Sequence, residues 1–307
     1  MTNKHNSVHE DKVPRQITHI LSVDVEDYFM VEAFATSVQR TSWESWPSRV
    51  ESNTRQILDL FERYEARATF FFVGWVAKKF PMLVRDVMSR GHEIACHSYW
   101  HRPVYSLTPA EFREDTRAAV SAIEDAAGAR VAGYRAPSWS ITKTCLWALD
   151  ILAEEGFLYD SSIYPIRHDL YGVPGAQRFP YTYTCSNGAS IREYPPPTAR
   201  FFGQNLPGAG GGYLRIFPLA YTKWFFSHFE RSYRQRVMVY LHPWEVDPEQ
   251  PRIRERLRSR FRHYTNLRYM KNRLEYLLQH YSFESFADSM EIEIPGDLTV
   301  DFARSQK

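Results

Sequence analysis

The chain has 307 residues, of which 44% are hydrophobic and 15% aromatic, so it can bury a full-sized core as one domain or two. Lys+Arg number 38 against 36 Asp+Glu, a balance that supplies no global field for nucleic acid or an acidic polymer. The cysteines, Cys96, Cys145 and Cys185, are odd in number and contain no CxxC pair; this argues against a disulfide framework or thiolate zinc knuckle and fits a reducing compartment.

The opening MTNKHNSVHEDKVPRQ has no apolar signal-like stretch and reads as a flexible tail over 1–16. The longest near-apolar run, Ala68 to Ala77, is too short to span a bilayer, so a cytoplasmic protein is expected. Ile17 to Asp24 is the first predicted strand and ends abruptly in acids. Ile57, Leu60, Phe61 and Tyr64 then repeat at helical spacing, and Ala68 to Val73 is a buried strand. A helix striped by Leu83, Val84, Val87 and Met88 stops at Gly91, before a short strand over Glu93 to Cys96. Thr108-Pro109-Ala110-Glu111 is a capping box with proline at the first helical position, and the helix should run to Gly128. Strand-like Val131 to Tyr134, a helix through Leu146, Leu149 and Leu152, and strand-like Phe157 to Tyr159 follow.

Such regular alternation implies parallel strands covered by helices. From Ile163 to Leu214 the rhythm breaks into Pro-, Gly- and Tyr-rich sequence, read as long surface loops. Val237 to Leu241 is an apolar strand, and two helical patterns close the chain, Ile253/Leu257/Phe261 and Leu267/Met270/Leu274/Leu277/Leu278, both expected to pack on the barrel.

His97-Ser98-Tyr99-Trp100-His101 sets two imidazoles four residues apart, a spacing that a helical turn or tight loop can aim at one point. It follows a strand, at the barrel end where the first strand delivers Asp24-Val25-Glu26-Asp27. Two histidines and a carboxylate leave positions open on Zn²⁺ or a similar divalent ion, as hydrolysis needs. The bland reading of the acids is a calcium-like or merely solvated loop. Arg135 in Arg135-Ala136-Pro137-Ser138-Trp139 can hold a nearby carboxylate ionised, and His242 in Tyr240-Leu241-His242-Pro243-Trp244 can bring a general acid to the same mouth. A structural ion pair and a core histidine are the competing accounts. Arg252 to Arg262 reads as a helix in which arginine alternates with other residues and only Glu255 offsets the charge. It is either a solvated face or a peripheral contact with anionic lipid or glycan.

From Ile17 to Pro243 these segments resemble the polysaccharide deacetylase (NodB-homology, carbohydrate esterase 4) family: HSYWH matches its second motif, RAP its third and LHP its fifth, with TFFFVG and GHEIACHS also similar. The resemblance implies a distorted (β/α)7 barrel, here an α/β fold with a C-terminal helical extension. The catalytic domain would span 17–290, with subgroup-specific loops and helices over 163–290 and a tail over 291–307. It further implies a divalent metal, Zn first, with Co, Ni or Mn as alternatives, held by His97, His101 and a first-motif acid. The first motif departs from the usual TFDDG, reading SVDVED. Asp24 then resembles the base. Glu26 is the preferred ligand, because alternate strand residues share a face, with Asp27 as its substitute.

Asp160 resembles the fourth-motif aspartate that orients His242, and Arg135 would orient Asp24. Tyr99, Trp139, Leu241 and Trp244 are the expected substrate contacts, and a backbone N–H near Tyr99 or Trp100 would assist the oxyanion. The implied activity is N-deacetylation of a glycan. The PPP run, GGGY and the Arg-rich helix resemble the exosortase-associated exopolysaccharide subgroup, whose substrate would be an exopolysaccharide or its lipid-linked precursor. Rival readings are a cyclic-ureide hydrolase of the allantoinase kind and a non-catalytic glycan-binding protein. Oligomeric state is not legible.

Overall fold

The computed structural model describes residues 17–168 and 171–290. The tails expected over 1–16 and 291–307 lie outside these described residues. Strand β1 (His19–Val25) is buried along its whole length, as a strand covered on both faces must be. Helix α1 (Val50–Arg63) turns Ile57, Leu58, Leu60 and Phe61 inward, and β2 (Thr69–Phe72) follows. Helices α2 (Gly74–Lys79) and α3 (Pro81–Ser89) lead to β3 (Glu93–Cys96). Helix α4 (Pro109–Ala127) begins at the expected capping box, with Thr108 Oγ1 accepting from Glu111 N, and ends at Gly128 in the left-handed region, φ 71°. Then come β4 (Gly133–Tyr134), α5 (Trp147–Glu154) and β5 (Tyr159–Asp160), each close to its predicted position and the strands shorter.

The stretch read as surface loops is instead built into the fold. It contains β6 (Tyr181–Thr184), β7 (Ser190–Glu193), the hairpin β8 (Thr198–Phe201) and β9 (Gln204–Pro207), and the start of α6 (Gly211–Ile216). The strand β7 alternates outward and inward, but its second inward residue is the buried acid Glu193, which breaks the apolar pattern a sequence reading depends on. Helix α7 (Leu219–His228) precedes β10 (Met238–Leu241) and was also unexpected. The chain closes with α8 (Leu257–Tyr264), α9 (Leu267–His280), β11 (Phe283–Glu284) and α10 (Phe286–Met290). All the predicted α9 stripe residues are buried. On α8 the expectation fails: the helix starts only at Leu257, and Leu257 and Phe261 are 80% and 61% exposed.

The sheet runs β10-β1-β2-β3-β4-β5-β7 with every neighbouring pair parallel, and β6 adds antiparallel at the far edge. The result is a curled seven-stranded parallel barrel, distorted because no ladder joins β7 to β10 among the described residues. Alternation along β2 sorts the core: Phe70 and Phe72 join the cluster beneath the helices, while Phe71 joins an inner cluster with Ile20, Ala95, Tyr159, Met238 and Phe286. Phe286, on α10, stacks on Tyr159 and plugs the inner face at the end opposite the acids. In register, Val23 lies beside Leu241, Cys96 beside Tyr134, and Tyr134 beside Asp160. The residues following β1, β3, β4 and β10 therefore emerge at one end, the carboxyl face where such barrels carry their sites.

Candidate active site

At that end a cavity of about 450 Å³ is lined by Asp24, Glu26, His97, His101, His242 and Trp244, with Tyr105, Trp139, Tyr171, Tyr213 and Tyr240 among its walls. One ligand atom each from Glu26, His97 and His101 falls within 4.8 Å of the others, and all three residues are buried. The HSYWH segment is a tight loop, not a helix: Ser98 and His101 take positive φ, and the His101 amide donates to Ser98 Oγ. Asp115 on α4 fixes the loop from behind, accepting from the Tyr99 amide at 2.7 Å and from Arg102.

The donor set fits a divalent cation. His97 Nδ1 lies 2.7 Å from the Arg135 carbonyl, which can only accept, so the ring proton sits on Nδ1 and Nε2 keeps its lone pair. Burial pushes the His97 pKa down to about 4, so the ring is neutral, as a ligand must be. Glu26 Oε2 approaches His101 Nε2 at 2.6 Å without hydrogen-bond alignment, which leaves a buried carboxylate oxygen unsatisfied. That cost disappears when a cation occupies the space between them. Glu26 Oε1 accepts from Trp244 Nε1 at 3.0 Å, which holds the carboxylate in place.

Asp27, the alternative ligand, points elsewhere. Its carboxylate accepts from Ser48 Oγ and from the Tyr28, Arg49 and Val50 amides, and so caps the N-terminus of α1.

Asp24 Oδ1 accepts from Arg135 Nη1 at 2.6 Å, and Oδ2 lies 3.8 Å from His242 Nε2. Arg135 is fully buried; it also donates to Ser22 Oγ and to Ser161, with its guanidinium 4.1 Å from the Phe71 ring centroid and 4.9 Å from that of Trp139. Ser138 and Trp139, both at positive φ, turn the chain so that Trp139 closes over this cation. His242 Nδ1 is held at 3.1 Å by Glu245 Oε2, whose other oxygen accepts from Arg215 Nε at 2.6 Å. Burial disfavours the charged imidazole, but the hydrogen bond and charge of Glu245, with Glu26 and Asp24 nearby, raise the His242 pKa to about 9.

Several expected roles change. Asp160 does not orient His242: it accepts from Ser162 Oγ at 2.6 Å and pairs with Glu193, where burial drives Asp160 up to about 6 and Glu193 further. The orienting group is Glu245, three residues after His242 in a capping box; that spacing in HPWE is a signal the sequence reading passed over. Arg215, from the supposed loop region, carried no motif. The Tyr99 ring packs against Gly74 and α4, outside the cavity, and its amide is taken by Asp115, so neither serves an oxyanion there. The Trp100 ring lies against Trp43. Leu241 is wholly buried in the core. Trp139 and Trp244 both line the cavity, and the Trp244 ring is stacked against His242 and His263 at 5.0 and 4.1 Å. Tyr171 and Tyr213, joined by a 3.0 Å hydroxyl contact, were hidden in the loop-like stretch.

Fold and site together define a curled parallel barrel with a His/His/carboxylate set at its strand ends. Residues 41–154 match the family model described as polysaccharide deacetylase, and residues 161–291 match a domain of unknown function, DUF3473. Over residues 41–154 the chain is thus similar to polysaccharide deacetylase domains of the NodB-homology type. It is 32% identical over 110 residues to a bifunctional xylanase/deacetylase of Pseudobutyrivibrio xylanivorans, covering 36% of this chain and 18% of that one. It is 29% identical over 108 residues to a peptidoglycan deacetylase of Helicobacter pylori, covering 35% and 36%. The matched segments thus span well under half of these relatives. Among solved structures, a candidate polysaccharide deacetylase from Mycobacterium smegmatis superposes over 89% of this chain and 90% of its own, with TM-score 0.56 and 18% identity. An allantoinase superposes over 87% and 85%, with TM-score 0.53 and 19% identity. At such identities the two structures speak for the fold alone.

Proposed function

We propose that residues 17–290 form one metal-dependent N-deacetylase domain that removes acetyl groups from N-acetylhexosamine units of a glycan. The observation that carries this reading is the convergence of the Glu26/His97/His101 set, the Asp24–Arg135 pair and His242 on one cavity. A divalent cation, Zn first and Co, Ni or Mn otherwise, would be held by Glu26, His97 and His101 and would supply Lewis acidity to the acetamide carbonyl and a water. Asp24 Oδ2 faces the cavity and takes the proton of the attacking water, while the hydrogen bond from Arg135 to Oδ1 keeps the carboxylate aimed. His242, protonated below about pH 9, holds its proton on Nε2 and donates it to the leaving amine nitrogen. Glu245 keeps Nδ1 engaged, so the ring cannot rotate away.

The Tyr-rich wall built by 171–240 gives flat apolar faces of the type that stack on sugar rings. Together with the DUF3473 match, this wall supports an exopolysaccharide or its lipid-linked precursor as substrate. The test is metal analysis of purified protein with acetate release from a panel of N-acetylated glycans, allantoin included. Glycan-dependent acetate release that chelation stops and added metal restores is the expected outcome. Allantoin turnover, or glycan binding without acetate, overturns it.

A further inference from the structure

The helix α8 (Leu257–Tyr264) is amphipathic in the wrong sense for a helix that only packs on a barrel. At about 100° per residue, Leu257 and Phe261 project within about 40° of one another, and Arg260 and Arg258 fall about 60° to either side of that pair. His263 faces inward, buried and hydrogen-bonded to Gln250 at 2.6 Å. Two large apolar side chains, 80% and 61% exposed, are thus presented outward inside a fringe of guanidinium groups. The fringe continues along the chain: Arg252, Arg254 and Arg256 are exposed, and the one acid in this stretch, Glu255, is turned towards the hydroxyls of Thr36 and Ser37. Nor is the helix loosely hung. Arg215 donates to the carbonyls of Arg262, His263 and Thr265, which fastens the end of α8 to the rim of the cavity that Arg262 and His263 also line.

We propose that the outward face of α8 docks the protein on an anionic phospholipid surface, with Leu257 and Phe261 entering the headgroup–acyl boundary and the arginines meeting phosphates. Apolar residues bordered by arginine match that boundary, which is apolar below and negatively charged above. A second copy of this chain is a poor occupant, because a two-fold contact through this face would set arginine against arginine. Among the described residues no helix is long and apolar enough to cross a membrane, so the contact is peripheral. Docked in this way, the cavity rim sits beside the bilayer, where a lipid-linked glycan presents its sugars. That consequence rests on the proposed deacetylase function, whereas the docking does not.

The experiment is co-sedimentation of the full chain with vesicles of phosphatidylcholine alone or mixed with phosphatidylglycerol. Expected are binding to the mixed vesicles only, release by salt, and partitioning about tenfold weaker for Leu257→Ser/Phe261→Ser and for Arg256→Glu/Arg260→Glu. Both pairs are on the surface, and an unchanged circular dichroism spectrum and acetate release on a soluble substrate confirm that they fold. Failure of the wild type to bind, equal binding to phosphatidylcholine, or undiminished binding by either variant overturns the proposal. So does a dimer in sedimentation velocity that Leu257→Ser/Phe261→Ser dissociates without any vesicle binding.

Discussion

The two halves of the chain contribute to the site in different ways. Up to Asp160, a strand, a helix and a strand alternate, and the residues that emerge, Asp24, Glu26, His97, His101 and Arg135, are the proposed ligands and the proposed base with its partner. After Asp160 the chain folds hairpins and short helices, adds β7 beside β5, and returns beside β1 through β10, which delivers His242. The rest of that second half holds and walls what the strands present: Glu245 and Arg215 fix His242, and Tyr171, Tyr213 and Tyr240 shape the cavity. Regular secondary structure delivers reacting groups, and irregular structure decides how rigidly they stand and what can reach them.

That contrast can be broken by mutation. The largest effect should come from the first half: His97→Ala is expected to lower acetate release about 10³-fold or more and to remove bound metal, read by elemental analysis. In the second half, Arg215→Met removes one of the two cations that compensate the buried Glu245 carboxylate, His242 being the other, and should cost about 3 kcal/mol in chemical denaturation. Glu245→Gln is milder for the fold and specific for turnover: kcat should fall about 10²-fold with metal retained. Because His242 must be protonated and its pKa is raised to about 9, loss of the Glu245 charge should also move the alkaline fall of kcat to lower pH. A pH profile unchanged in shape would remove Glu245 from its assigned role.

Smaller effects sharpen the comparison between neighbouring acids. Asp27→Ala should cost about 1–2 kcal/mol of stability through the lost α1 cap while the metal content stays intact, unlike any change at Glu26. Asp160→Asn should leave kcat within a few-fold. Asp160 titrates at about 6 in the fold against 3.8 as a free carboxyl, so the native state binds the extra proton and stability falls as pH rises from about 4 through 6. The Asn variant should flatten that slope in a series of melts across this range.

Legibility followed the same division. The capping box at Thr108, the apolar β2 and the α9 stripe are local patterns in which propensity, spacing and burial agree, and they appear where the sequence places them. The HSYWH, RAP and LHP residues were legible because they sit at strand ends that one barrel brings together. Glu193 and Glu245 were not, since a buried acid contradicts periodicity unless its partner is known, and those partners, Asp160 and Arg215, are 33 and 30 residues away. The assignment of Asp160 to His242 failed for the same reason: a strand-end acid can face either side, and here it faces Glu193.

The hydrogen bonds between β5 and β7, and between β1 and β10, cross the interval between the two family matches, which falls at residues 155–160. The boundary drawn by sequence descent is therefore not a place where the chain can be cut. A piece ending near Asp160 would expose both edges of β1–β5 as unpaired ladders and should aggregate. The two segments are expected to fold only when expressed as a single unit. An exchange of the second half between relatives would transplant His242, its holding pair and the cavity wall together, which makes that half the natural unit for changing what the barrel accepts.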